Sequence, residues 1–307
     1  MNTEVRPKVD LQTIALRAKD RDYQALAINL LKPNLIQPEE MCRLQIPPEL
    51  DWQQGVILYG AAPSWLYAHL VWRFQHASWV GCYDIRSQAV IVVSSKVPAL
   101  QPGDTIEIVP NKDLGAAILI GGPPNSGKSV LSNALRLDVL AQRPDVQIYL
   151  HRANWDGEGN HTYETPDRNL ATSLKKKNKF KLHWHQRADE LITKYFVDHS
   201  KAVTNIRQVV DLALVDVGGV PDLVKTPVVE KCSHYIIISN EKDKVEAWHK
   251  LCAQKLQPLA VIHSVLEEKL EVIRTQPFLE IVAGPWQSEQ SQAIPDLLLK
   301  QVLKLLL

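Results

Sequence analysis

The sequence predicts an α/β protein of two domains, residues 1–110 and 111–307. Three observations predict it. Apolar strand-like runs and helix-like patterns alternate along the second part of the chain, as in a mainly parallel sheet with covering helices. A glycine-containing stretch ending in Gly127-Lys128-Ser129 joins one such strand to one such helix. Pro110-Asn111-Lys112-Asp113 is polar and breaks the pattern, which puts the domain boundary there.

In the first domain, residues 1–10 read as a loose tail, and 23–31 as a strand ended by Lys32-Pro33. Pro38-Glu39-Glu40 resembles the first turn of a short helix. Residues 55–59 (GVILY) form a short buried strand and 60–63 a turn. Residues 65–74 have helical spacing, with Leu66, Leu70 and Phe74 on one face. Strands follow at 79–83, 89–93 and, after the turn signal Pro102-Gly103-Asp104, at 105–109. In the second domain strands are expected at 116–120, 146–150, 212–215, 235–239, 259–265 and 279–282. Helices are expected at 129–140, about 187–203 and 243–253, and residues 294–307 read as a closing amphipathic helix whose leucines enter the core.

Composition excludes several classes. Hydrophobic residues make up 45% and charged residues 22%, which is ordinary for a globular chain and argues against long disorder. With 35 basic and 34 acidic residues the net charge is +1, so no general attraction to nucleic acid or membrane is expected, and no stable duplex partner. Cys42, Cys82, Cys232 and Cys252 are far apart and form no CxxC pair, which points to reduced thiols rather than a metal framework. Residues 1–12 have no apolar core of signal-peptide type, and no run approaches the roughly 20 apolar residues of a membrane span. The expectation is a cytoplasmic protein.

Gly122-Pro123-Pro124-Asn125-Ser126-Gly127-Lys128-Ser129 fits G-x-x-x-x-G-K-[ST] at every fixed position, with an apolar strand leading in and a helical pattern leading out. That is a P-loop. Its chemistry needs this spacing because backbone N–H groups must wrap a phosphate, and Gly127 lets the backbone approach without a Cβ. Lys128 is expected on the β- and γ-phosphates and the Ser129 hydroxyl on Mg²⁺. The second metal-site residue should be acidic and end a buried strand, which Leu212-Ala-Leu-Val-Asp216 supplies. Val217-Gly218-Gly219 follows, and the Gly219 amide is placed to sense a γ-phosphate. Asn240-Glu241-Lys242-Asp243 is close to the guanine-reading N-K-x-D, but its Lys is displaced by one position. Asp243 is therefore read as a helix N-cap, and ATP rather than GTP as the nucleotide.

Arg152, Asp156 and Glu158 follow the next strand, where such sheets bind ligands, and are candidates for a substrate or acceptor site or a solvated turn. Lys175, Lys176, Lys177, Lys179 and Lys181 form a local basic run, read as a solvated loop, and His183-Trp184-His185 is read as structural.

Within the first domain, Gly60-Ala61-Ala62-Pro63 precedes a helix and is a candidate anion seat. Asp84 and Arg86 leave a strand two residues apart, so they can face the same way or pair as a salt bridge. The run from Gly55 to Ser95 resembles the CRISPR-associated ring nucleases of the third, small Csx type, accessory proteins of type III systems. The matching residues are Gly55, Gly60, Pro63, Trp65, His76, Tyr83, Asp84 and Arg86, with Leu30-Leu31-Lys32-Pro33 and Pro102-Gly103-Asp104 in the corresponding places. Fusion to a P-loop AAA-type ATPase domain is a known architecture of that family.

The resemblance implies a small Rossmann-like domain, of the CRISPR-associated Rossmann type, that dimerises and binds cyclic tetra-adenylate, sandwiched between stacked dimers. It implies metal-dependent cleavage of the ring, usually with manganese. Carried over by position, His76, Asp84 and Arg86 are the catalytic candidates, and Gly60, Pro63 and Trp65 the ligand-binding ones. The sequence departs from the family pattern at Ala61 and Ala62, which replace Arg and Gly, at Gln75, which replaces His, and at Ile85, which replaces Pro. Gln75 cannot transfer protons near neutral pH, so a sensor that holds an intact ring stands beside the nuclease reading. A third possibility is a P-loop small-molecule or nucleotide kinase with a structural amino-terminal domain.

Overall fold

The computed structural model describes residues 9–30, 38–60, 62–109, 114–154, 169, 173, 187–286 and 294–306. The chain forms two compact units, Met1–Asn111 and Lys112–Leu307.

The first unit is one six-stranded mixed sheet whose strands lie in chain order: β1 (Val9–Arg17), β2 (Asp22–Leu30), β3 (Val56–Tyr59), β4 (Trp79–Asp84), β5 (Ala89–Ser95) and β6 (Thr105–Glu107). Helix α1 (Ser64–Arg73) crosses from β3 to β4, and β2, β3 and β4 are parallel, which makes a small Rossmann-like core. Strands β2 and β3 are buried on both faces, so their sequences read as nearly unbroken apolar runs. One face packs Leu26, Leu58 and Val80 on Leu66, Leu70 and Phe74 of the helix side. The other packs Ala25, Ile57, Trp79, Val90, Val92 and Ile108. Strand β1 is not among the sequence expectations, and Val9 and Asp10 lie in the stretch expected to be a tail. It pairs antiparallel with β2 from Val9↔Leu30 to Arg17↔Asp22, but buries only alternate residues at its start, so its apolar signal is weak. Beyond β1 and β6, Ala18 and Ile108 bridge antiparallel and the Val109 N–H donates to the Arg17 carbonyl at 2.7 Å. The two edge strands thus meet at one corner and the sheet curls over its second core.

The second unit holds a seven-stranded sheet in the order β12-β13-β11-β10-β7-β9-β8. Its strands are β7 (Ala116–Gly121), β8 (Ile148–Ala153), β9 (Leu212–Val217), β10 (His234–Ser239), β11 (Gln257–Ser264), β12 (Lys269–Arg274) and β13 (Leu279–Gly284). All neighbours are parallel except the β12–β13 pair. The helices are α2 (Lys128–Gln142), α3 (Ala188–Arg207), the short α4 (Thr226–Val229), α5 (Lys242–Cys252) and α6 (Asp296–Leu303). Leu131, Leu135 and Val139 of α2 and Leu298, Leu299 and Val302 of α6 close one core against Ile118, Ile120, Ile236 and Ile262. This is a P-loop NTPase fold. Here β7 and β9 pair directly, Ile120 opposite Asp216.

Strand β12 also escaped the sequence reading. All six of its residues are exposed, so burial imposes no periodicity on them.

Candidate functional site

The two halves of the nucleotide site meet because β7 and β9 are neighbours. Strand β7 delivers the loop 122–127 and α2 begins at Lys128, so the loop lies at the positive end of a 15-residue helix. Gly122 (φ 153°) has no room for a side chain, since an added Cβ would lie 1.9 Å from the Ile238 carbonyl oxygen. Asn125 (φ 60°) and Gly127 (φ 94°) turn the loop through the left-handed region. Lys128 is buried and its Nζ donates to the Pro123 carbonyl across the loop at 2.7 Å. The ammonium thus spans the cavity of the loop that a phosphate would fill.

Ser129 and Asp216 converge. The Ser129 Oγ donates to Asp216 Oδ2 at 2.8 Å. Strand register places Arg152 opposite Asp216, and its Nη1 donates to the same Oδ2 at 3.2 Å. Only 9% of the Arg152 side chain and 6% of the Asp216 side chain are exposed. Gly219 follows β9 and packs on the loop, where an added Cβ would meet the Pro124 nitrogen at 2.7 Å. The chain therefore brings Gly122 to Ser129, Arg152, Asp216 and Gly219 into one place. Asp156, Glu158, the lysines at 175–177, 179 and 181, and His183, Trp184 and His185 lie outside the described residues.

The residues fit a magnesium–nucleotide. A hydroxyl and a carboxylate, hard oxygen donors, stand side by side, and Mg²⁺ is usually held by one or two such protein ligands plus phosphate oxygens and water. The glycine cradle admits a phosphate only because side chains are missing. Ser126 Oγ is buried in the loop and has no hydrogen-bond partner among the described residues.

Two further residues act on this site and carry no motif. Trp286, after β13, packs behind the loop, so that a Cβ on Gly127 would lie 2.4 Å from the Trp286 Cβ. Its indole N–H donates to the Ala283 carbonyl at 2.8 Å. His151, next to Arg152 on β8, is buried and shares a 2.8 Å hydrogen bond with His199 of α3, tying that helix to the strand beside the site. A tryptophan or histidine in a strand or loop is usually packing, and only the fold reveals these contacts.

Asp243 is not the cap of α5. The Ser239 Oγ accepts the Glu241 N–H at 3.0 Å, which starts the turn earlier. Glu241 takes the cap position and Asp243 lies in the first turn, paired with Lys244 at 3.6 Å.

In the first unit, β3 and β4 run parallel, so their carboxyl ends share one edge of the sheet. Gly60 (φ 129°) turns there, close against the Ile28 carbonyl, and its own carbonyl accepts the Tyr67 hydroxyl at 2.6 Å. Pro63 takes the cap position of α1, and Trp65 in its first turn packs partly into the core. Asp84 ends β4. Its Oδ1 accepts Arg86 Nε at 3.0 Å and its Oδ2 accepts the Ser87 hydroxyl at 2.9 Å. Burial works to raise its carboxyl, but the bonds from Arg86 and Ser87 and the guanidinium charge outweigh it and hold the group below the usual carboxylate range. The neighbouring Tyr83 phenol is pushed up by burial, with Tyr59 and Asp84 adding to it.

His76 is elsewhere. Helix α1 runs back along the sheet, so the turn after it sits at the amino edge, before β4 begins at Trp79. The six residues of β4 separate the two edges by about 17 Å. Within one copy the structure brings Asp84 and Arg86 together with Gly60 and Pro63, but not His76.

The family model described as CRISPR-associated protein (Cas_csx3) matches residues 30–107. Among solved structures, the kinase domain of the Escherichia coli tyrosine kinase ETK is 15% identical, with a TM-score of 0.34, covering 48% of this chain and 67% of that one. A plasmid partition protein from Borrelia burgdorferi B31, bound to AMPPNP, is 11% identical with a TM-score of 0.40, covering 63% of this chain and 98% of that one. Among the described residues no helix is long and apolar enough to cross a membrane. The chain thus joins a segment similar to the Cas_csx3 family to a P-loop NTPase fold.

Proposed function

We propose that the second unit binds ATP with Mg²⁺ and cleaves its terminal phosphoryl bond, by hydrolysis or transfer. We propose also that the first unit binds and cleaves cyclic tetra-adenylate as an accessory of type III CRISPR signalling. The observation that carries the first half is the meeting of Ser129 and Asp216 below the glycine-built loop. In this reading the loop amides and the Lys128 ammonium, turned from the Pro123 carbonyl, hold the β- and γ-phosphates. Ser129 and Asp216 hold the metal, which when bound neutralises charge on the phosphate oxygens. Replacing Lys128 by Ala is expected to weaken ATP binding about a hundredfold, on the order of 3 kcal/mol for one lost charge-assisted contact. Equilibrium binding of ATP to both proteins checks this, and equal affinities would sink the reading.

The second half rests on the segment similar to Cas_csx3 and on the carboxyl edge that gathers Gly60, Pro63, Asp84 and Arg86. Arg86 suits a phosphodiester, and Asp84, held ionised, suits a positively charged group. Among the described residues, the donors named at this edge of one copy, the Asp84 carboxylate already bonded by Arg86 and Ser87, do not fit a manganese site by themselves. Those same bonds favour, as a second reading, a sensor that retains the intact ring. Labelled cyclic tetra-adenylate incubated with the protein, with and without ATP, separates the two. Linear products that vanish in Asp84→Ala support cleavage, a retained intact ring supports the sensor, and no binding removes both.

A further inference from the structure

We propose that Arg152 stands in for the metal's positive charge at Asp216 until Mg²⁺–nucleotide arrives, and then transfers to the nucleotide phosphates, where it stabilises their charge. The inference rests on the reading of the second unit as a magnesium–nucleotide site. Its starting point is geometric. Register across the β8–β9 pair fixes Arg152 opposite Asp216, and the guanidinium and the Ser129 hydroxyl share one carboxylate oxygen, at 3.2 and 2.8 Å.

A carboxylate with 6% of its side chain exposed needs a compensating charge, because an unpaired buried ion costs several kcal/mol. Arg152, also nine-tenths buried, supplies it. A divalent cation between Ser129 and Asp216 brings two positive charges to the oxygen that the guanidinium already occupies. The guanidinium then becomes a like charge at close range and one donor too many for that oxygen. A phosphate chain in the adjoining loop is an anion that a planar guanidinium can take up through two parallel N–H bonds. Arg152 therefore opposes metal entry in the free protein and stabilises charge on the transferring phosphoryl group in the loaded one. A residue that merely braced the strand pair would do neither separately, and its loss would weaken both.

The test titrates Mg²⁺ into the full-length protein with a fluorescent ATP analogue and follows binding, alongside steady-state ATP turnover, for wild type, Arg152→Gln and Arg152→Lys. Arg152→Gln is expected to reach half-saturation at about tenfold lower Mg²⁺, since a screened charge repulsion is removed, while turnover falls about a hundredfold, the usual loss for one transition-state donor. Arg152→Lys keeps the charge and so keeps the wild-type Mg²⁺ midpoint, but loses the paired N–H geometry and turns over more slowly. An unchanged or higher Mg²⁺ midpoint in Arg152→Gln overturns the proposal. Should that variant not fold, wild-type turnover in Arg152→Lys overturns it instead. A wild-type protein that binds no nucleotide at any Mg²⁺ concentration removes the underlying reading as well.

Discussion

The glycine before Lys128 is read from the sequence as a place for backbone to approach phosphate. The structure adds a second reason at the same residue. Gly127 has φ 94°, and its missing Cβ is the space that Trp286 fills. Gly103 provides the comparison, with φ 100° and nothing within 4 Å of an added Cβ. Gly103→Ala should cost only the left-handed backbone term, about 1–2 kcal/mol. Gly127→Ala should cost that and the overpacking against Trp286, about 1–3 kcal/mol more. Chemical denaturation, with the transition of each unit followed separately, measures both, and equal costs would show that Trp286 yields freely. The motif made Gly127 legible because phosphate chemistry fixes its spacing. Trp286 was not legible, because it reaches the loop from the far end of the sheet and its own neighbours in sequence say nothing about Gly127. Arg152 was legible as a residue at a ligand-binding strand end, but its pairing with Asp216 depends on strand order, which no local pattern encodes.

At the scale of elements, legibility follows burial. Helices α2 and α5 carry an apolar face and strands β7, β9 and β10 are unbroken apolar runs, so the sequence shows them, whereas β1 and β12 are weakly buried or exposed and carry neither signal. The packing of α5 on β10 carries a pH dependence. His249 of α5 shares a 2.8 Å hydrogen bond between its Nδ1 and the Tyr235 hydroxyl, and Tyr235 is pushed up to about 12 by burial, so it stays protonated throughout the neutral range. Burial lowers the His249 pKa, Glu280 works against this, and Arg274 adds to it. His234, at the start of β10, is lowered by burial as well. Both imidazoles are therefore kept neutral in the fold and protonate more readily in the unfolded chain. The stability they contribute is full above the usual histidine value of about 6.5 and is lost as pH falls through it towards the lower folded values. The thermal midpoint of the second unit should fall between pH 7 and pH 5, and His249→Gln should flatten part of that slope. A slope identical to wild type would assign the acid sensitivity to other groups.

At the scale of the whole molecule, residues close along the chain lie far apart in the first unit. His76 and Asp84 are close along the chain and match one family pattern, but β4 lies between them and carries them to opposite edges of the sheet. One copy therefore cannot bring both to the same phosphodiester. Two copies can, if the His76 edge of one faces the Asp84 edge of another, which is a head-to-tail contact between unlike surfaces. The arrangement makes a prediction that no single-site enzyme shares. His76→Ala and Asp84→Ala should each abolish ring cleavage alone, and equal mixtures of the two should recover about a quarter of wild-type activity, since one contact in four then joins an intact His76 edge to an intact Asp84 edge. Cleavage of labelled cyclic tetra-adenylate by the separate and mixed proteins measures it. Recovery on mixing would place the reaction between copies and make the rate depend steeply on protein concentration. Wild-type cleavage by His76→Ala alone would separate His76 from the chemistry and leave Asp84 and Arg86, with their shared edge, as the groups that act on the ring, and two inactive variants without recovery in the mixture would overturn catalysis between copies.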